Sequence, residues 1–153
     1  MVTVEDLKYD FLISSHCLEH CANPIKTLFT WKRVLKQEGI ILLILPQKEF
    51  TFDHKRDITS FKHLLEDYEN DVDENDLTHI NEIIAKHDLN RDKAAGSLQE
   101  FQERSYLNFE NRCLHHHVFD FDLLEKVLRY TGFTIEKKIF IKPFHQIIIG
   151  KKK

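Results

Sequence analysis

Apolar and polar positions along the chain alternate at several distinct periods, and each change of period marks a new element. Tyr9 to Ser14, YDFLIS, is a short apolar run of strand length. Asn23-Pro24 then offers an N-cap with proline in the first helical turn, and Ile25, Leu28, Phe29 and Leu35 lay one apolar stripe at helical spacing. Trp31 stands beside that stripe and extends its buried face. Gly39 is expected to stop this helix. Ile40 to Leu45, IILLIL, follows at once and closes on Pro46; a run without polar alternation predicts a strand buried on both faces.

The middle of the chain is polar and helical. Ser60 to Asp71 predicts one helix, and Leu77, Ile80, Ile83 and Ile84 share a face in the next. Ser97 with Glu100 forms a capping box for a helix continuing through Phe101 and Leu107. A further helix starts near Asp120 or Asp122, buries Leu123, Leu124, Val127 and Leu128, and ends at Gly132. FTIEKKIF, a KP turn and FHQIIIG then predict a hairpin. The order strand, helix, strand, helical stretch, helix, strand, strand defines an α/β chain of about four strands with the last one antiparallel. A right-handed crossover sets the first two strands side by side.

Composition narrows the picture without deciding it. The 153 residues fit a single domain, and a net charge of -3 gives no electrostatic reason to bind nucleic acid or an anionic membrane. No apolar run is long enough to span a bilayer, so no membrane partner is expected and a cytoplasmic location is the default. Three cysteines, Cys17, Cys21 and Cys113, read as reduced thiols, and the Lys151 to Lys153 tail reads as a soluble end. Ten histidines are many, and His115, His116 and His117 are consecutive.

Three motifs invite a metal. HCLEHC, His16 to Cys21, contains H-x-x-E-H, a zinc-peptidase spacing. That chemistry needs both histidines one turn apart on a continuous helix, and here a strand runs into Ser14 or Ser15. Of the three consecutive histidines, at most two can converge on one point from an extended segment; the alternatives are a polar loop or one or two groups reaching over a site. Asp71, Asp73, Asn75 and Glu82 fall on calcium-loop positions, but Asp76 stands where that loop needs glycine. No metal ligand is assigned from the sequence, and a metal-dependent hydrolase remains only a weaker alternative.

The segment YDFLISSHCLEHCANPIKTLFTWKRVLKQEGIILLILP resembles the fourth strand, following helix and fifth strand of class I S-adenosylmethionine (SAM) dependent methyltransferases of the type 11 branch. The words that carry it are the strand opening on Asp10, LEH at Leu18 to His20, Asn23-Pro24, RVLKQEG at Arg33 to Gly39, and the strand ending in Pro46. The final hairpin resembles the sixth and seventh strands, and residues 57–117 resemble a helical insertion over the site. The resemblance implies a partial Rossmann-like sheet and transfer of a methyl group from SAM to a small-molecule acceptor, possibly sugar-like. It implies that Ser14, Ser15 and His16 face the cofactor, that His16, His54 or His116 serves as base, and that Arg56, His115 and His117 bind the acceptor. An imidazole suits removal of a proton from an alcohol or amine near neutral pH.

The family's glycine loop has no counterpart: Gly39, Gly96, Gly132 and Gly150 form no G-x-G. The expectation is a truncated, C-terminal half, inactive alone and without SAM binding of its own. Its Asp10 to Ser15 strand would be left as an edge that pairs with a second copy or a complementing chain. A non-catalytic half of this kind is the alternative to an enzyme.

Overall fold

Capping and burial explain where each element starts and stops. The computed structural model describes residues 4–153, so the first three residues of the expected 1–153 domain lie outside it. Strand β1 (Tyr9–Ser15) leads through a short turn at Leu18–His20 to helix α1 (Pro24–Val34), where the Asn23 side chain accepts the Lys26 N–H. Strand β2 (Leu35–Pro46) lies parallel to β1, in register Ile13 with Leu42 and Ser15 with Ile44.

Helices α2 (Phe61–Glu69), α3 (Ile80–Lys86), α4 (Leu98–Tyr106) and α5 (Asn108–Asn111) follow, then α6 (Phe121–Tyr130) and the hairpin β3 (Phe133–Ile141) and β4 (His145–Lys152). Ser97 and Glu100 form the capping box the sequence predicts, and Asp120, rather than Asp122, caps α6. The sheet order is β1-β2-β4-β3, with β4 antiparallel to both its neighbours.

One face of this sheet carries the core. Ile41, Leu43 and Leu45 of β2 and Ile148 of β4 pack on Ile25 and Leu28 of α1 and on Leu124, Val127 and Leu128 of α6. Leu64 joins them from α2, and Trp31 packs at the margin. A smaller cluster, Ile83, Ala95, Phe101 and Leu114, holds the middle helices together.

Three sequence expectations are corrected here. The run at β2 is not buried on both faces: Ile40, Leu42 and Ile44 are only partly buried, as are Ile147 and Ile149 of β4 beside them. On the same open face Phe11 and Ile13 of β1 are 65% and 61% exposed. Unbroken apolar composition shows that both faces tolerate burial, not that helices cover both.

Secondly, α1 ends at Val34, ahead of Gly39. Between the pairs Tyr9–Leu35 and Phe11–Ile40 the register slips, and the extra residues of β2 bulge. Glu38 there takes a left-handed φ of 64°, and a Cβ on Gly39 would lie 2.8 Å from the Lys36 carbonyl oxygen. Glycine is required by that close approach, not by a helix cap.

Thirdly, the lysine end is not simply solvated. Lys152 is buried, and its ammonium donates to the Lys32 and Leu35 carbonyls, at 2.8 and 2.6 Å, closing the C-terminus of α1.

The one-sided core makes a direct prediction for neighbouring residues of one strand. Leu43→Ala is expected to cost about 2–5 kcal/mol in urea denaturation, and Leu42→Ala on the open face about 1 kcal/mol or less. Equal losses would mean that both faces are covered in solution.

Candidate active site

The carboxyl ends of β1 and β2 lie side by side, the place where open α/β sheets bind their ligands. Three pieces of chain meet there: the turn after β1, the loop after β2, and the helix-free residues 112–120. His16 follows β1 with a left-handed φ of 49°, and its N–H continues the ladder to the Ile44 carbonyl at 2.9 Å. Its Nε2 lies 3.1 Å from Nδ1 of His145, at the start of β4. Ser14 is buried on the helix-covered side, while Ser15 is exposed.

Arg56 ties the second piece to the third. It is 2% exposed, and its guanidinium donates to Asp53 at 3.1 Å and to the carbonyls of His115 and His116 at 2.7 and 3.0 Å. Thr59 and Val118 add two more hydrogen bonds at 3.0 Å each. Asp53 also faces His115, with Oδ2 2.5 Å from Nδ1. Burial opposes ionisation of Asp53, but the hydrogen bond and charge of His115, with those of Arg56, outweigh it and hold the carboxyl below its ordinary value.

His20 stands edge-on to His115, ring centroids 4.6 Å apart, and its Nδ1 meets the Leu114 carbonyl at 3.0 Å. Glu19 is buried with no hydrogen bond to either carboxylate oxygen, and burial raises its pKa. A cavity of about 310 Å³ opens beside this group. Its polar lining is His20, Asp53, His87, Asp92, Arg104 and His115, and Phe52 and Ile83 add apolar wall. His87 is sandwiched between Phe52 and Phe101 at 4.4 and 4.1 Å. The size suits a small ligand, and six ionisable groups suit one rich in hydroxyl or charged groups.

Of the residues given a catalytic or binding role from the sequence, His115 alone lines this cavity. His54 pairs with Asp88 at 2.9 Å. Arg56 is engaged with protein acceptors, so it positions its neighbours. His116 is buried against the Asn108 amide at 2.9 Å, and burial lowers its pKa to about 4. His117 meets the Ala22 carbonyl at 3.1 Å.

Asp53, His87, Asp92 and Arg104 were not legible as site residues, because they converge only through the packing of α3 and α4. In HCLEHC, His16 and His20 go to different partners and share no helix. Asp73 and Asp76 of the calcium-like stretch cap the N–H groups of Asn75 and Thr78. Two groups bring metal-type donor atoms within 4.8 Å of one another: Glu19, His20 and His115, and separately His63, Asp67, His79 and His117. The first group draws on HCLEHC, through Glu19 and His20, and on the histidine run; the second takes His117 from that run and adds His63 and Asp67, one helical turn apart.

The residues present do not by themselves cradle SAM. A Cβ on Gly39, Gly96, Gly132 or Gly150 would meet Lys36, Glu100, Lys32 or Ile41, so each glycine is accounted for by internal packing. None stands at the carboxyl end of β1 to let a cofactor approach the backbone.

Fold and site thus define an α/β chain whose strand order suits the carboxyl-terminal part of a Rossmann-like sheet. The family described as "Methyltransferase domain" matches residues 1–138, and the chain belongs to it. A protein from Listeria monocytogenes, described as an S-adenosylmethionine dependent methyltransferase, is 16% identical with a TM-score of 0.54. The match covers 99% of this chain and 65% of that one. A protein from Methanosarcina mazei, described as a SAM-dependent methyltransferase, is 14% identical with a TM-score of 0.48, covering 99% and 63%. The chain therefore spans less than two thirds of the length of these structures, and at such identities the likeness concerns the fold. Among curated proteins nothing matches. Among the described residues no helix is long and apolar enough to cross a membrane.

Burial and His115 lower the His20 pKa from its ordinary 6.5 to about 4. As pH falls through 6.5 the unfolded chain takes up a proton that the folded chain refuses until about 4. Stability is thus expected to be highest above 6.5 and to decline across that window. With the ring partly exposed, about 1–2 kcal/mol is the expected share, of roughly 3 for the whole shift. His20→Asn, compared with the parent in urea at pH 7.5 and 5, should lose that much less; an identical pH dependence would refute the assignment.

Proposed function

We propose that this chain carries the acceptor side of a SAM-dependent methyltransferase site and that its acceptor is a small, polar, hydroxyl- or amine-bearing molecule. The observation that carries this reading is the His115–Asp53 pair on the wall of the 310 Å³ cavity, at the carboxyl ends of two parallel strands. Family membership supplies the reaction class, and the ionisable lining supports the polar acceptor.

SAM, when bound, supplies an electrophilic methyl group. The chain's own contribution is positioning and proton removal. Asp53 on Nδ1 of His115 fixes the tautomer that leaves Nε2 as the proton acceptor, and stabilises the imidazolium that forms. Arg56 holds both partners in place through one carboxylate and two carbonyls. His87 and Arg104, each against Asp92, give the acceptor further donors. The cofactor's adenosine contacts are proposed to come from outside these 153 residues. Ser15 and His16, at the carboxyl end of β1, would be this chain's share of the cofactor site.

A second reading, a non-catalytic half, rests on the free edge of β1, where Tyr9, Phe11 and Ile13 are exposed. Such an edge pairs with a strand of another copy or of a complementing chain. Light scattering of the chain separates these states, and Phe11→Lys with Ile13→Lys should abolish any association; a monomer at high concentration would count against it.

For the catalytic reading, S-adenosylhomocysteine release is measured with a panel of polyols, amino sugars and hydroxylated acids, alongside calorimetric titration with SAM. Where turnover is found, His115→Ala is expected to lower kcat by about 100-fold or more, with KM changed far less. Asp53→Asn should fall between that variant and the parent. Undiminished kcat in His115→Ala would overturn the role of His115. Neither binding nor turnover would overturn methyl transfer by this chain acting alone.

A further inference from the structure

Away from the His115–Asp53 pair, four side chains from three separate parts of the chain turn toward one point. His63 and Asp67 lie one turn apart on α2, His79 precedes α3, and His117 comes from the helix-free segment before α6. The Nε2 atoms of His63 and His79 are 2.9 Å apart. Asp67 Oδ2 lies 3.3 Å from His63 Nε2 and 3.5 Å from His117 Nε2.

Hydrogen bonding does not satisfy this group. Only one proton fits between the two Nε2 atoms of His63 and His79. Asp67 Oδ2 is buried and accepts no hydrogen bond, and Nδ1 of His117 is buried with no partner. Buried polar atoms are nearly always partnered, so two orphans in one cluster call for a missing group. His117 meets the Ala22 carbonyl through Nε2 and leaves Nδ1 as a bare lone pair. One imidazole nitrogen on a carbonyl and the other free is how metal-ligating histidines are oriented.

We propose that His63, Asp67, His79 and His117 bind one divalent transition-metal ion of the zinc class. A tetrahedral ion with bonds of about 2.0–2.1 Å holds its ligand atoms roughly 3.3–3.4 Å apart; the 2.9 Å between the His63 and His79 Nε2 atoms and the 3.3 Å from Asp67 to His63 lie near that value, and the donor atoms of all four residues fall within 4.8 Å of one another. Three imidazoles and one carboxylate suit zinc far better than calcium or magnesium, which take oxygen ligands. Four protein ligands make a closed site, which fixes structure. A cavity of about 230 Å³, lined by Ser60, His63, His79 and Glu82 among others, gives the ion a way in. The ion would staple α2, the start of α3 and the segment carrying His115 to one another, and none of its ligands belongs to the His115–Asp53 pair.

The test uses the chain purified without chelator or affinity metal, and needs no assay of activity. Elemental analysis should find about one zinc-class ion per chain. After chelation, added Zn²⁺ should raise the Tm and rebind at one equivalent, and Co²⁺ should give the visible absorption of a tetrahedral site. His79→Ala, at a partly exposed position, should keep its far-ultraviolet circular dichroism yet weaken Zn²⁺ affinity by at least about 100-fold. His63→Ala should do the same, so the outcome does not rest on one variant's folding. His54→Ala, outside the cluster, should bind as the parent does. No change of Tm with excess Zn²⁺ in the chelated parent, or unaltered affinity in both variants, would overturn the proposal.

Discussion

A guanidinium taken out of water must find acceptors for its protons, and Arg56 finds them in the Asp53 carboxylate and in the carbonyls of His115 and His116. Each of those acceptors belongs to the site. Asp53 sits in the loop after β2, and the two carbonyls sit in the segment before α6, so a single side chain sets the distance between them. A buried charge stripped of its partner costs about 3–5 kcal/mol, which makes this arrangement hard to loosen in part. The short Asp53–His115 contact follows from the clamp. Without it, two flexible stretches would have to bring a carboxylate and an imidazole together against their own entropy.

The clamp works because the sheet beneath it is rigid on the side that matters. Both strands ending at the site send Leu or Ser side chains down among α1 and α6, and Gln146 of β4 donates to the Pro46 and Phe119 carbonyls beneath the same loops. Among the described residues the other face has no such cover, and β1 has a neighbour on one side alone. The chain therefore places its ordered, polar machinery on one half of a sheet and leaves an apolar margin on the other.

Local physics wrote some of this plainly into the sequence. Asn23-Pro24 and the Ser97–Glu100 box each begin a helix where they should, because a cap is decided within four residues. The hairpin and the parallel pairing of β1 with β2 were legible too, one from its turn and the other from the handedness of a short crossover. What could not be read depends on long-range approach. Gly39 looks like a helix stop until the Lys36 carbonyl is seen beside it. Lys152 looks like a soluble tail until its ammonium reaches the end of α1, 120 residues earlier in the chain. Of the acceptor cavity only His115 was given a binding role in advance, since Asp53, His87 and Asp92 enter it from separate loops.

The three consecutive histidines show why a run of like residues need not make one site. Three imidazoles in a row suggest convergence, yet each goes its own way: His115 to Asp53, His116 to Asn108, and His117 to the Ala22 carbonyl and the proposed ion. Adjacent side chains on a non-helical segment diverge, so such a run serves better as a spine between three sites than as a single cage. Arg56 fixes the backbone of that spine at His115 and His116, and Thr59 fixes it at Val118. An ion on His117 would hold the one residue between these pins. It would share no donor atom with the acceptor cavity, but would set the position of the backbone from which His115 projects into it.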